Sequence, residues 1–194
     1  MRQKQSHSVS DDVKRDLDTR MHRAIEALER DLAAIRTGRA STALVERVPV
    51  DYYGTQTPLN QLASISVPEA HSILIQPWDR SALGAIEKAI QRSDVGLTPN
   101  NDGTSVRLNI PLLTEERRRD LVKLVHKRME EARVEIRNHR RDAADELKRS
   151  EKDGELGSDE ARRELEQIQK VTDRWNDEVE RVGKHNEQEI LDVG

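Results

Sequence analysis

The sequence predicts an α+β chain, a long three-helix bundle into which a small β/α/β domain is inserted. Apolar residues recur at helical spacing over three long stretches. All six prolines fall between positions 49 and 111, where the period changes to alternation. Aromatics are scarce, two Trp, two Tyr and no Phe in 194 residues, too few for the core of a large sandwich or barrel. With 36% charged and 34% hydrophobic residues, order requires the charges to lie on exposed helix faces.

Residues 1–8 are polar and read as a disordered extension. From there Val13, Leu17, Met21, Ile25, Leu28, Leu32 and Ile35 follow steps of three and four, one amphipathic helix. Ser8 or Ser10 is its candidate N-cap, with Asp11 and Asp12 beside the positive end of the helix dipole. Gly38 is its stop.

Val48 to Tyr52 alternates and is closed by the turn-forming Gly54; Ser64–Val67 and Ser72–Gln76 read as strands. Ser81 is the candidate cap of a short helix carrying Leu83, Ile86, Ala89 and Ile90. Asn100 to Gly103 makes a turn before a strand through Val106, Leu108 and Ile110. Adjacent Tyr52 and Tyr53 point to opposite strand faces, one into the core.

A second long helix starts after the N-cap Thr114, with Leu121, Val125, Met129, Ala132, Ile136, Ala143 and Leu147 on its stripe and His139 the stripe's polar member. Lys148 to Gly157 reads as the reversal. The third begins at Ser158 and carries Ala161, Leu165, Ile168, Thr172, Trp175, Val179, Val182, Asn186 and Ile190, with Trp175 a bulky choice at a core position. The domains expected are thus the bundle, 9–38 with 113–194, and the insert, 39–112. Two neighbouring connections between two compact bodies make a hinge at Thr37, Gly38, Leu112 and Leu113.

No catalytic constellation is legible: no Gly-rich phosphate loop, no HExxH, no nucleophile elbow. The absence of Cys removes disulfides, thiolate catalysis, iron–sulfur clusters and Cys-based zinc sites. His126 and Glu130, four apart, read as a surface pair rather than metal ligands. No cofactor or metal is expected. With no run near the roughly 18 apolar residues of a membrane helix and no secretory h-region, the expected location is cytoplasmic.

Charge placement says more than the net −4. Residues 117–141 hold ten basic against four acidic side chains, and residues 158–192 six against eleven. At 100° per residue Arg119, Lys123, Arg133, Arg137, Arg140 and Arg141 share one sector of the second helix, about 120° from its apolar stripe. A solvated face pairing with the acidic third helix explains this sector as well as a phosphate-binding face does. The excess of Arg favours phosphate, whose oxygens a guanidinium grips bidentately. Arg36 and Arg39 flank Gly38, where they suit the negative end of the dipole and could equally touch a polyanion.

The motifs Arg36-Thr-Gly-Arg-Ala-Ser41, Tyr52-Tyr-Gly-Thr55 with Pro58-Leu59 and Gln61-Leu-Ala-Ser64, Asp79-Arg-Ser81, Glu87-Lys-Ala-Ile90, Ser93-Asp94 with Gly96-Leu97, Pro111 through Glu115-Glu-Arg-Arg118, and Ala132-Arg133 with Arg137-Asn138 and Arg140-Arg-Asp-Ala143 occur in order. In these the chain resembles the bacterial ribosome recycling factor family from about Asp11 to its end, departing over the first ten residues and at the second reversal. The resemblance implies an L-shaped, monomeric translation factor that catalyses no covalent step. It would bind the large ribosomal subunit after termination and, with elongation factor G hydrolysing GTP, split the ribosome and release mRNA and tRNA. Arg133, Arg137, Arg140 and Arg141 would then face ribosomal RNA, with Arg36 and Arg39 near the elbow. A long-helix chaperone or adaptor is the alternative; it should expose apolar tips and has no use for the Arg sector.

Overall fold

The computed structural model describes residues 9–192, so the expectation of disorder at 1–8 and the Ser8 cap lie outside the described residues. The elements are α1 (Val9–Arg36), β1 (Pro49–Tyr52), β2 (Thr55–Pro58), β3 (Ala63–Glu69), β4 (Ser72–Pro77), α2 (Leu83–Arg92), β5 (Pro99–Asn101), β6 (Val106–Asn109), α3 (Glu115–Lys152) and α4 (Ser158–Leu191). The chain packs as two compact units. One joins the chain up to Glu29 with Arg128–Gly183, and the other joins Arg30–Lys127 with the chain from Lys184.

In the first unit three helix stripes close on one another. Val13, Leu17, Met21, Ile25 and Leu28 of α1, Met129, Ala132, Ile136, Ala143 and Leu147 of α3, and Ala161, Ile168, Val179 and Val182 of α4 are all buried. Burying each large side chain fully contributes about 1.5–3 kcal/mol, which these highly charged helices could not obtain singly. Polar bonds tie α4 to α1: Lys14 Nζ lies 3.0 Å from Glu164, and Trp175 Nε1 donates to Asp18 at 3.0 Å. Trp175 is therefore only half-buried, at the rim of the bundle rather than in its core, because its indole N–H must reach a carboxylate. His139, too, is only partly buried and pairs with Glu135.

Three boundaries differ from expectation. Ser10 lies inside α1, which already starts at Val9, so it cannot be the cap. Helix α3 continues four residues past Lys148 to Lys152 and ends in a Schellman motif, with Glu155 N–H donating to the Ser150 carbonyl at 2.9 Å. No side chain caps α2, whose N-cap is Ala82. Ser81 lies in the 3-10 turn Arg80–Ala82 that leads into it, and Asp79 caps that turn, its carboxylate accepting the Ser81 N–H at 3.0 Å and the Ser81 hydroxyl at 2.7 Å. A carboxylate takes both donors at once, and Ser81 has no acceptor role left at the cap.

The second unit contains an antiparallel four-stranded sheet, ordered β3-β4-β6-β5, and the separate β1–β2 hairpin. In register, Ile73 faces Leu108 and Ile75 faces Val106, and all four are buried, as are Leu83, Ile86 and Ile90 of α2. Strands β2 and β5 escape the alternation test, because Thr-Gln-Thr-Pro and Pro-Asn-Asn have no apolar period. The β1–β2 turn places Tyr53 and Gly54 both at positive φ, 49° and 79°, the two-residue geometry that matches strand twist. Tyr53 is 81% exposed and lies in the turn, and Tyr52 is only half-buried. The two rings meet edge to face at 4.6 Å, so, against expectation, they do not divide between opposite strand faces and neither enters the core. Tyr52 donates its hydroxyl to Asp79 at 2.6 Å.

That bond holds the Tyr52 phenol protonated, pushing its pKa up to about 12, and holds the Asp79 carboxyl below the usual carboxylate range. A raised phenol contributes stability that is fully present below the ordinary tyrosine value of about 10 and is lost as pH rises toward 12. Ultraviolet titration should therefore show a phenolate step delayed to about 12, and Tyr52→Phe should abolish it; absence of that late step in the wild type would contradict the bond.

Candidate nucleic-acid interface

Within the first unit, Arg133, Arg137 and Arg140 project from α3 at steps of four and three and line one cleft of about 330 Å³ with Gln169, Thr172 and Asn176 of α4. The steps put all three guanidinium groups on one face, and the α4 residues recur at three and four opposite them. Arg133 is held in place, 3.2 Å from Glu130 and bonded to Glu180 across the helices. Arg137 and Arg140 have no carboxylate partner among the described residues. Arg141 is exposed and donates to Asn138 at 3.1 Å.

The facing wall is polar and partly unsatisfied. The Thr172 hydroxyl donates to the Ile168 carbonyl at 2.8 Å, and Gln169 donates to Asp173 at 2.9 Å. Asn176 Oδ1 is buried with no hydrogen-bond partner. Sequence reading missed Gln169 and Asn176; their signal was the spacing, since they sit three before and four after Thr172 on a stripe already recognised.

The other basic residues of the second helix divide. Arg119 pairs with Glu115 at 2.6 Å and Lys123 is exposed, both in the second unit. Arg117 and Arg128, counted in the basic segment, are buried and add nothing to an exposed face. Arg117 instead donates to the Val95 carbonyl at 3.0 Å, tying α3 to the loop after α2, and burial lowers its pKa. His126 pairs not with Glu130 but with Glu187 of α4, at 3.1 Å, because Glu130 is turned to Arg133. Among the described residues no group of three or more His, Cys, Asp or Glu could hold a metal ion, and no helix is long and apolar enough to cross a membrane.

The two connections of the insert run side by side in the second unit. Gly38 adopts φ 67° and donates to the Ile35 carbonyl at 3.1 Å, and a Cβ built there would stand 3.1 Å from Leu113 Cδ1. Ala40 N–H donates to Ala70 at 2.9 Å and Ile110 N–H to His71 at 2.8 Å, so both connections lean on the β3–β4 turn. Thr37 Oγ1 accepts the Arg39 N–H at 3.2 Å. Leu112 is 78% exposed. Arg36 and Arg39 are exposed, Arg36 3.9 Å from Glu189.

By fold and site the chain is in class a helical bundle with a small antiparallel sheet domain and an arginine-lined cleft. Comparison with known proteins makes this specific. The family model for ribosome recycling factor matches residues 28–191. The ribosome-recycling factor of Halalkalibacterium halodurans is 55% identical over 185 residues, covering 95% of this chain and all of that protein, and that of Bacillus subtilis is 50% identical with the same coverage. The solution structure of a ribosome recycling factor superposes with a TM-score of 0.50 at 44% identity, covering 95% of this chain and 98% of that one. Models of the T. thermophilus ribosome recycling factor and E. coli elongation factor G bound to the E. coli post-termination complex give 0.50 at 45%, covering 94% and 98%. The chain belongs to the ribosome recycling factor family and is a translation factor, not an enzyme.

Proposed function

We propose that this chain acts as a monomer in the cytoplasm, binding the large ribosomal subunit after termination. With elongation factor G, whose GTP hydrolysis supplies the work, it then splits the post-termination complex and releases mRNA and tRNA. Residues 9–38 and 113–194 form the part that grips ribosomal RNA, through Arg133, Arg137, Arg140 and Arg141, with Arg36 and Arg39 at the elbow. Residues 39–112 form the part that turns about Thr37, Gly38, Leu112 and Leu113. The single observation that carries this reading is the α3–α4 cleft, where Arg137 and Arg140 converge without a carboxylate of their own. Cations left unpaired in a cleft are what a phosphate backbone requires, and phosphate contacts position a protein without reading sequence. The relative solved with elongation factor G on a post-termination complex supports the same partners for this chain.

The test is subunit splitting followed by light scattering, with elongation factor G and GTP, beside co-sedimentation with isolated large subunits. Gly38→Val places a branched side chain at φ 67° and drives its Cβ toward Leu113. Such a position costs a non-glycine residue about 1–2 kcal/mol and stiffens the elbow. Splitting should fall at least tenfold while binding changes less than threefold. Equal loss of both would show a folding defect and remove the hinge from the mechanism.

A further inference from the structure

A second cleft, of about 660 Å³ and wholly within the second unit, lies between α2, the β1–β2 hairpin and Lys127 of α3. Three cations rim it, Lys88 and Arg92 from successive turns of α2 and Lys127 from α3. Lys88 and Arg92 are exposed and have no carboxylate partner among the described residues, and Lys127 lies 3.4 Å from Asp94. The one carboxylate of the lining, Asp51, turns to its own hairpin and accepts the Gly54 N–H at 3.1 Å. Gln56 and Ser93 add polar groups.

The composition of the floor separates possible occupants. Gly84, Ala85 and Ala89 bring the ligand close to the helix backbone, and no aromatic or branched aliphatic side chain lines the cleft. A peptide held at a protein interface needs an apolar or aromatic anchor in a pocket, which this cleft lacks. A phosphodiester needs only cations and donors with room to approach them. We propose that this cleft is a second seat for the RNA backbone, in which Lys88, Arg92 and Lys127 hold a phosphodiester of ribosomal RNA in addition to the contacts made by the arginine cleft. The proposal rests on the ribosome-binding reading above and adds the insert to the RNA-binding surface.

The chain has no Cys, so Gly84→Cys offers a unique attachment point. Gly84 has an ordinary helical φ and its added Cβ would meet nothing within 4 Å, so the substitution leaves the fold intact. With a photoreactive benzophenone at position 84, the full chain bound to isolated large subunits should cross-link to RNA. Lys88→Gln with Arg92→Gln should lower that adduct at least fivefold and reduce the magnitude of the log–log salt slope of binding by about 1.4 to 1.8, for two lost phosphate contacts. Co-sedimentation with the adduct on protein alone, or an unchanged slope in the double variant, overturns the second seat while leaving the ribosome-binding reading standing. No co-sedimentation of the unlabelled wild type overturns both.

Discussion

Replacing Arg137 and Arg140 together by Ala should weaken binding to isolated large subunits about a hundredfold or more, with melting unchanged. Each lost charge-assisted contact costs about 1.5 kcal/mol or more, and about 1.4 kcal/mol is a factor of ten. Neither side chain has an ion-pair partner among the described residues, and substitutions at such positions move stability by about 0.5 kcal/mol or less. If about five arginines meet phosphates, they should contribute roughly −3.5 to −4.5 to the wild-type log–log salt slope, and the double variant should lower its magnitude by about 1.4 to 1.8. The net charge of −4 does not oppose this, because each charge is screened beyond about 10 Å at 0.1 M salt. A flat salt dependence in the wild type would replace RNA gripping with docking by shape or apolar contact. Arg133→Ala tests a different thing: it also breaks the bonds to Glu130 and Glu180, so its binding loss would mix anchoring with contact.

Gly183→Leu should lower the melting temperature by roughly 4–8 °C. In the helix interior the change relieves a glycine penalty of about 1 kcal/mol. Against that, a Cβ at Gly183 would lie 2.2 Å from Met129 Sδ and 2.4 Å from its Cε, and Met129 is itself buried on α3. Overpacking of this kind costs typically 1–3 kcal/mol, and here three methionine atoms must move before the rest of the leucine is placed. With the overpacking cost at the upper end of that range, about 3 kcal/mol, the net loss is about 2 kcal/mol, which for a chain of this size corresponds to the stated shift. Met129→Ala should restore part of the stability when combined with Gly183→Leu, a non-additivity expected of residues in contact. Equal melting of wild type and Gly183→Leu would mean that α3 and α4 do not need the close approach.

Much of this architecture is legible in residue spacing. The α1 stripe from Val13 to Ile35 is buried at every expected position, since a run of threes and fours can bury one face only as a helix. Gly38 was readable as a left-handed stop because only a residue without Cβ takes that position freely. Strands β2 and β5 were not readable, their side chains carrying no alternation; partners pull them into pairing, Thr57 opposite Val50 and Pro99 opposite Leu108. The sector of like charge was readable, but not which of its members would be paired. Arg133 meets Glu180 from 47 positions away, and no local pattern encodes that distance.

Periodicity, the confinement of proline to one stretch and the order of short motifs were enough for the helical bundle, the insert, the family and the arginine sector, because each depends only on neighbours within a few residues. Tertiary packing alone decided which arginines stay unpaired, that Gln169 and Asn176 face them, that Trp175 sits at the rim, and that Lys127 of α3 joins Lys88 and Arg92 of the insert around a second cationic cleft. Those properties depend on what a distant segment brings alongside, a carboxylate or an open wall, and the chain acquires them only when its helices and strands meet.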